Sequence, residues 1–593
     1  MENKNNSSAG ESKNLLEPQQ QIADIIPNIA LMLKRSALSY SRRIAFQAKE
    51  KDKYAGITWE NFYKKIMNIS YNLRRFGFEK GDRIVIFSEN RLEMLEFELS
   101  VMASGGIAIP IFFNYSQQTA EQLIKHAEAK YLAVGGNSQL QKISSDLHLN
   151  HIFTFDSFDL LEKDLLKDHK NISPISDLLK DFEGENFNLN YDAKPDDICL
   201  CMYTSGTMGH QKCVQLTHKN ILSQQAALSI LWNLNEKDRF LSFLRWHHSF
   251  GGIFEIFTAL YNGATLSLES SLGTNPNVIL ENWKLVKPTV FFSVPIIYQT
   301  LVDMVLDDKE LEKEFFHPDL RFVFTAAAPL PQRISDEFEK RKIPVIEGWG
   351  LTETSPCCTL TNPNLKREPG VVGLPIPGVK VKLAEDGEIL VKGPNVMVGY
   401  YNNDKANEGI FTDDGWFCTG DIGEITDNGL KIITRKDRIF KLLNAEKIVP
   451  TKIEENITKK CHYLSYAYVA GNGKKYPVAI LFPNRNLFNK KSDSMDLEFA
   501  GCSCPNNIED LSKCLQNCLN DVNCGLKQKF SRLHSAMLID DDLSVDTKTL
   551  TPSLKLAPNN VKEVYKAHIA KLYEPSVKID EQVYIISLNN SDV

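Results

Sequence analysis

The residue types best suited to chemistry fall in one short run, Tyr203-Thr-Ser-Gly-Thr-Met-Gly-His-Gln-Lys212, directly after the apolar stretch Ile198–Met202. Hydroxyls and glycines in a loop that follows a strand can wrap a polyphosphate, because glycine admits close backbone approach and unusual φ. A lysine at the end adds a compact positive charge. The G-x-x-x-x-G-K-[ST] spacing is absent, so this is not a Walker A loop, and taken alone the run also fits a plain turn. Further on, Glu347-Gly-Trp-Gly-Leu-Thr-Glu353 sets a hydroxyl beside a carboxylate, which taken alone also fits a helix start. Thr419-Gly-Asp421 adds an aspartate that, taken alone, also fits an exposed turn.

The elements that must hold these residues can be read from periodicity. Short apolar runs (RIVIF at 83–87, IAIPIFF at 107–113, YLAV at 131–134, RFLSFL at 239–244, TVFFSV at 289–294, LRFVFT at 320–325) alternate with helical patterns such as Trp59–Phe76 and Leu92–Gly105. Runs buried on both sides and separated by helices predict parallel sheets covered by helices. After about Gly348 the texture changes to short alternating segments joined by Asp-Gly and Asn-Gly, which is hairpin chemistry. From about Arg438 to Tyr573 strands and helices mix in a smaller α+β unit. The expected fold class is therefore α/β: a large N-terminal domain of helix-covered sheets with a small β-rich subdomain, then a smaller α+β C-terminal domain. The expected division is a disordered tail over 1–21, an N-terminal domain over 22–436 and a C-terminal domain over 437–593.

Composition narrows the function classes. The chain has 593 residues, 43% of them hydrophobic and 24% charged, which excludes wholesale disorder, collagen and coiled-coil rods. With 68 Lys+Arg against 75 Asp+Glu, the net charge of −7 gives no global pull toward nucleic acid or anionic lipid. No long uncharged apolar stretch predicts a spanning helix, and the polar N-terminus lacks the apolar region of a secretory signal. Of the 12 cysteines, five cluster at Cys502, Cys504, Cys514, Cys518 and Cys524. Their spacing fits no zinc pattern, so reduced thiols are the expectation, with a metal site as the alternative.

Taken together, the YTSGT…K loop, the GLTE box, GEILVKGPNVMVGYY (387–401), GWFCTGDIGEI (415–425) and TRKDRIFKLLNAEKIVP (434–450) resemble the AMP-forming adenylating superfamily, over about Ile22 to Tyr573. The stretch LTPSLKLAPNNVKEVYKAHIAKLY (550–573) is similar to the long-chain fatty acyl-CoA synthetase branch in particular. The resemblance implies a ligase that uses ATP, Mg²⁺ and CoA. A fatty acid would be joined to AMP, with loss of diphosphate, and then passed to CoA. Thr204, Ser205, Gly206, Thr207, Gly209 and Lys212 would form the phosphate loop. Thr352 would contact phosphate and Glu353 would hold the metal. Ala327, Trp349 and Gly350 would border the adenine, while Asp421 and Arg435 would serve the ribose. Lys555 would be the C-terminal catalytic lysine, with Lys548 the nearby rival, and the smaller domain over 437–593 would be a mobile lid. His248 and Gly350 would stand at the acyl pocket, Asp437 would act as a backbone hinge between two orientations of the small domain, and Lys441 would lie on the loop that swings toward CoA. The expected location is cytoplasmic; because long acyl chains partition into bilayers, peripheral membrane contact stays open, and oligomeric state is unreadable.

Several positions depart from the family pattern: in the phosphate loop Met208 for a small hydroxyl residue, Gln211 for proline and Cys213 for glycine, then Arg245 before the histidines, Thr434 before Arg435, Ala445 for a glycine, and Ala557-Pro558 after the catalytic lysine. Met208 could crowd a triphosphate, and Cys213 would resist a positive φ. The charged groups are all present, which points to altered rate or specificity. Two other readings stay open: an acyl-AMP ligase that loads an acyl carrier protein, and a low-activity or inactive paralogue that binds nucleotide.

Overall fold

The computed structural model describes residues 14–22, 24–181, 192–204, 211–326, 330–461, 463–485, 505, 507–541, 543–544, 547–550, 556–574 and 583–588. Two compact units divide them: the first runs to Thr204 and takes in Gln211–Thr419 and Glu424–Ile432, the second takes in Gly420–Gly423 and everything from Ile433 onward.

Two sheets build the first unit. In one, the parallel strands Ile198–Thr204, Ile107–Ile111, Arg83–Phe87, Tyr131–Val134, His151–Thr154 and Ile172–Pro174 lie side by side in that order. The antiparallel Lys212–Thr217 and Gly399–Tyr400 close one edge. The other sheet has a parallel centre formed by Ile44–Glu50, Thr265–Leu268, Arg239–Ser242, Val290–Ser293, Phe322–Thr325 and Val345–Trp349. Beyond Trp349 it turns antiparallel through short hairpins. The Asp-Gly turn between Lys380–Leu383 and Glu388–Lys392 uses Gly387 at φ +85°, as a tight hairpin requires. These elements match the α/β class expected from the alternating apolar runs.

Burial follows from that layering. The helix His218–Trp232 is buried along most of its length, the mark of an element held inside the unit instead of on its surface. Its start is fixed by a capping box, in which Thr217 and Asn220 each satisfy the other's backbone N–H. Leu15–Leu16, which fall inside the stretch expected to be a disordered tail, instead pair with Lys382 and Val381 and extend the sheet by an edge strand. Two adjacent leucines next to an open edge gain backbone hydrogen bonds, a contact that the polar composition of the segment conceals.

The second unit has a four-stranded sheet of Leu464–Ala470, Val478–Pro483, Ser535–Ile539 and Val583–Ser587, in that order. The helices Pro450–Lys460 and Ile508–Gly525 belong to the same unit. Ile508–Gly525 buries Leu511, Leu515, Cys518, Leu519 and Val522 on one face, so Cys518 packs as a small apolar residue. Among the described residues no group of three or more His, Cys, Asp or Glu side chains is placed to hold a metal. Cys502 and Cys504 lie outside the described residues. Among the described residues no helix is long and apolar enough to cross a membrane.

Candidate active site

Thr204 and Lys212 are cross-strand partners at the open end of an antiparallel pair, so the run read as a phosphate loop is the connection between two hydrogen-bonded strands. Ser205, Gly206, Thr207, Met208 and Gly209 lie outside the described residues. The strands around them are rigidly held. Tyr203 donates its hydroxyl to the Leu123 carbonyl at 3.0 Å and meets His126 Nδ1 at 2.9 Å. Burial pushes the Tyr203 phenol well above its usual range. Gln211, one of the departures, donates to the Tyr115 hydroxyl at 2.7 Å. Cys213 does not act as expected: it sits buried and extended in the strand opposite Tyr203, so the positive φ it would resist is not asked of it.

The strand Val345–Trp349 leads into a single turn, Thr352–Thr354, that carries the second cluster. Thr354 accepts from the Leu351 N–H at 2.9 Å and so pins the turn. Thr352 Oγ1 lies 3.0 Å from Ser249 Oγ, next to His248. Glu353 is half-buried and accepts from the Tyr400 hydroxyl at 2.8 Å through Oε1. Tyr400 in turn carries the Lys212 ammonium 4.6 Å from its ring centroid, within cation–π range. Tyr400 thus links Lys212 to Glu353, while Ser249 meets Thr352, the residue before Glu353; neither Tyr400 nor Ser249 was assigned from the sequence. Tyr400 stood inside a quoted motif, GEILVKGPNVMVGYY, but nothing in a linear pattern marks its contact across the strands.

Gly350 is required by packing: a Cβ there would lie 1.7 Å from the Pro356 carbonyl oxygen. Glu347 is buried and forms an ion pair with the equally buried Arg367, which also donates to the Leu330 carbonyl. Trp349 is half-buried. His248 is exposed, and its Nδ1 accepts from the Phe250 N–H at 3.3 Å. The adjacent His247 is different, since its ring packs on Phe112 at 4.9 Å and burial lowers its imidazole to about 3. Arg245 lies over the Phe113 ring at 5.1 Å. Ala327 lies outside the described residues.

In the second unit, Asp421 is buried and pairs with Arg435 at 3.0 Å, while Asp437 reaches the Arg435 guanidinium at 3.8 Å. Asp421 lies inside the strand Phe417–Thr426 and not in an exposed turn; Gly420 before it, at φ +72°, leaves room for the guanidinium, which would lie 3.3 Å from a Cβ there. Thr434 is buried, its hydroxyl 2.6 Å from that of Thr451. Asp437 sits in the turn Lys436–Arg438, and Lys441 is exposed on a two-residue strand paired with Lys447–Ile448. Ala445, in the loop of that hairpin, has φ +66°. Pro558 opens the helix Pro558–Val564 at a position where its missing N–H costs nothing. Lys555 lies outside the described residues.

The donor set of the first unit suits a magnesium–nucleotide complex: two hydroxyl residues, one ammonium, and one carboxylate whose Oε2 meets no protein donor among the described residues. A family model described as AMP-binding enzyme matches residues 33–401, and one described as AMP-binding enzyme C-terminal domain matches residues 437–576. The chain belongs to the AMP-binding enzyme family. It is 26% identical to fatty acyl-CoA synthetase A of Dictyostelium discoideum over 585 residues, covering 88% of this chain and 86% of that one. Long chain acyl-CoA synthetase 3 of Arabidopsis thaliana is 25% identical over 603 residues, covering 90% and 89%. Among solved structures, ATP-bound MatB from Rhodopseudomonas palustris matches with a TM-score of 0.71 at 22% identity, covering 92% of this chain and 100% of that one. O-succinylbenzoate CoA synthetase (MenE) from Bacillus subtilis, in complex with ATP and magnesium ion, matches at 0.69 and 22%, covering 90% and 99%. At those identities the two structures speak to the fold, which is shared.

Proposed function

We propose that this chain activates a long-chain fatty acid in two steps, with ATP, Mg²⁺ and CoA. In the first, a carboxylate oxygen of the acid attacks the α-phosphorus of ATP, the bond to the diphosphate breaks, and an acyl-adenylate forms. In the second, the CoA thiol attacks the acyl carbon, AMP leaves and the thiol proton passes to solvent, giving the thioester. The acid needs this detour because oxide is a poor leaving group and AMP a good one.

The observation that carries this reading is the placing of Tyr400 between Lys212 and Glu353, with Thr352 next to Glu353 in the chain. The names of the relatives support a fatty acid as substrate. In this reading Thr204 to Lys212 receives the phosphates, Thr352 contacts the α-phosphate, and Glu353 would hold Mg²⁺, which supplies charge neutralisation. Ala327, Trp349 and Gly350 border the adenine, Asp421 accepts from the ribose hydroxyls with Arg435 beside it, and His248 stands at the acyl entrance. Lys555 stabilises charge on the carboxylate and α-phosphate, and Lys441 faces CoA. Asp437 is the pivot between a substrate-binding part over 22–436 and a lid over 437–593. Catalysis of this kind is mostly positioning and electrostatic stabilisation.

Diphosphate release measured against acids of graded length, with and without CoA, tests the proposal. Release should depend on a long-chain acid, and thioester should appear only when CoA is present. Acyl-adenylate that accumulates despite CoA, and is discharged only by an acyl carrier protein, would replace CoA as the acceptor. Exchange at background with every acid would leave a nucleotide binder without activity. Lys555→Ala should abolish adenylation and leave ATP binding intact; unchanged adenylation would remove Lys555 from the mechanism.

A further inference from the structure

Tyr400 touches both charged groups of the first-unit site. Its hydroxyl donates to Glu353 Oε1 at 2.8 Å, and its ring carries the Lys212 ammonium at 4.6 Å. The side chain is buried, and its backbone is fixed from two sides. Asn407 accepts from the Tyr400 N–H at 2.8 Å and donates back to the Tyr400 carbonyl at 2.8 Å. On the other side, Tyr400 pairs with Val214, two residues along the strand from Lys212, so the strand register itself sets the ring beside the lysine. The same segment holds the glutamate's backbone, because the Met397 N–H donates to the Glu353 carbonyl at 2.8 Å.

Two consequences follow from this placement. A donor on one carboxylate oxygen restricts the carboxylate's rotation and leaves the other oxygen for a hard cation. The negative face of the ring offers the ammonium a resting place that is not the carboxylate, and among the described residues no ion pair joins Lys212 to Glu353. Such a pair would neutralise the two groups against each other before any nucleotide arrived. We propose that Tyr400, clamped by Asn407, is a positioning residue that keeps Glu353 Oε2 available to the metal and Lys212 available to phosphate. This rests on the reading of Glu353 as the metal-holding carboxylate.

The test compares ATP binding to the full chain in Mg²⁺ and in EDTA, by equilibrium dialysis; the ratio of the two affinities reports the metal's contribution without turnover. Outer-shell donors to a metal-holding carboxylate alter metal affinity by about 10- to 100-fold when removed. Tyr400→Phe keeps the ring and removes only the hydroxyl, so the ratio should fall about 10-fold while metal-free ATP binding stays as in the unaltered chain. Tyr400→Leu should weaken metal-free binding as well, since the lysine loses its support. Glu353→Gln should lower the ratio by itself, and adding Tyr400→Phe to it should lower the ratio no further. An unchanged ratio in Tyr400→Phe overturns the positioning role. If the unaltered chain gains nothing from Mg²⁺, the metal role of Glu353 fails first and takes the proposal with it.

Discussion

Two hairpins, one in each unit, carry a side chain where the family pattern has glycine, and they accommodate it in opposite ways. In the first unit Cys213 lies in the strand Lys212–Thr217, extended, buried and paired with Tyr203. Extended backbone is open to any residue, so the thiol adds packing at no conformational cost. In the second unit Ala445 stands exposed in the loop between Phe440–Lys441 and Lys447–Ile448 at φ +66°. There the Cβ crowds the following carbonyl, a conformation that costs an L-residue about 1–2 kcal/mol. A glycine replaced is therefore not one kind of event: φ decides whether the new side chain is tolerated or strained.

Gly350 breaks the comparison in a third direction and should give the largest effect. Its φ is ordinary, yet an added Cβ would meet the Pro356 carbonyl oxygen at 1.7 Å, its carbonyl carbon at 2.7 Å and Cys357 Cα at 3.0 Å. All three are backbone atoms, which cannot rotate away. Gly350→Ala should lower the stability of the first unit by about 3 kcal/mol or more, read as a shift in its denaturant midpoint. A midpoint within about 0.5 kcal/mol of the unaltered chain would mean that the turn at Thr352 is looser than its contacts imply.

Cys213→Gly sharpens the first half of the comparison. Restoring the family's glycine removes a buried side chain and adds backbone freedom to the unfolded chain, so stability should fall by about 2 kcal/mol. A gain in stability would show that Cys213 is strained after all. ATP binding should change little, because the strand pairing that holds Lys212 opposite Thr204 involves only backbone.

The difference between the two hairpins also explains what could be read in advance. The sheets were legible because runs such as Arg83–Phe87 and Val290–Ser293 are apolar without alternation, which only a strand covered on both faces supports. Lys212, Thr352 and Glu353 were picked out as candidates because charge and hydroxyl chemistry concentrates in short motifs. Tyr400 was not, since its role depends on the strand Gly399–Tyr400 pairing with Val214–Gln215, residues distant in sequence. Leu15–Leu16 were misread as tail for the same reason: their partner strand lies at Val381–Lys382. Nor could the residue types at 213 and 445 reveal which backbone was extended and which left-handed, because hairpin closure sets φ and side-chain chemistry does not.

Ala445→Gly should produce the smallest effect, and with the opposite sign. The Ala445 N–H donates to the Leu442 carbonyl at 3.0 Å, and the Leu442 N–H to the Glu446 carbonyl at 3.0 Å. Neither bond involves the methyl group, so glycine keeps both. Relief of the left-handed strain, about 1–2 kcal/mol, is offset by the added freedom of glycine in the unfolded chain, about 0.5–1 kcal/mol. A net gain of about 0.5–1 kcal/mol should remain, visible as a higher midpoint for the second unit and none for the first. A loss would mean that the positive φ is not kept in solution and that the hairpin has relaxed to a turn which alanine tolerates. The two glycine restorations should thus move stability in opposite directions, one unit at a time.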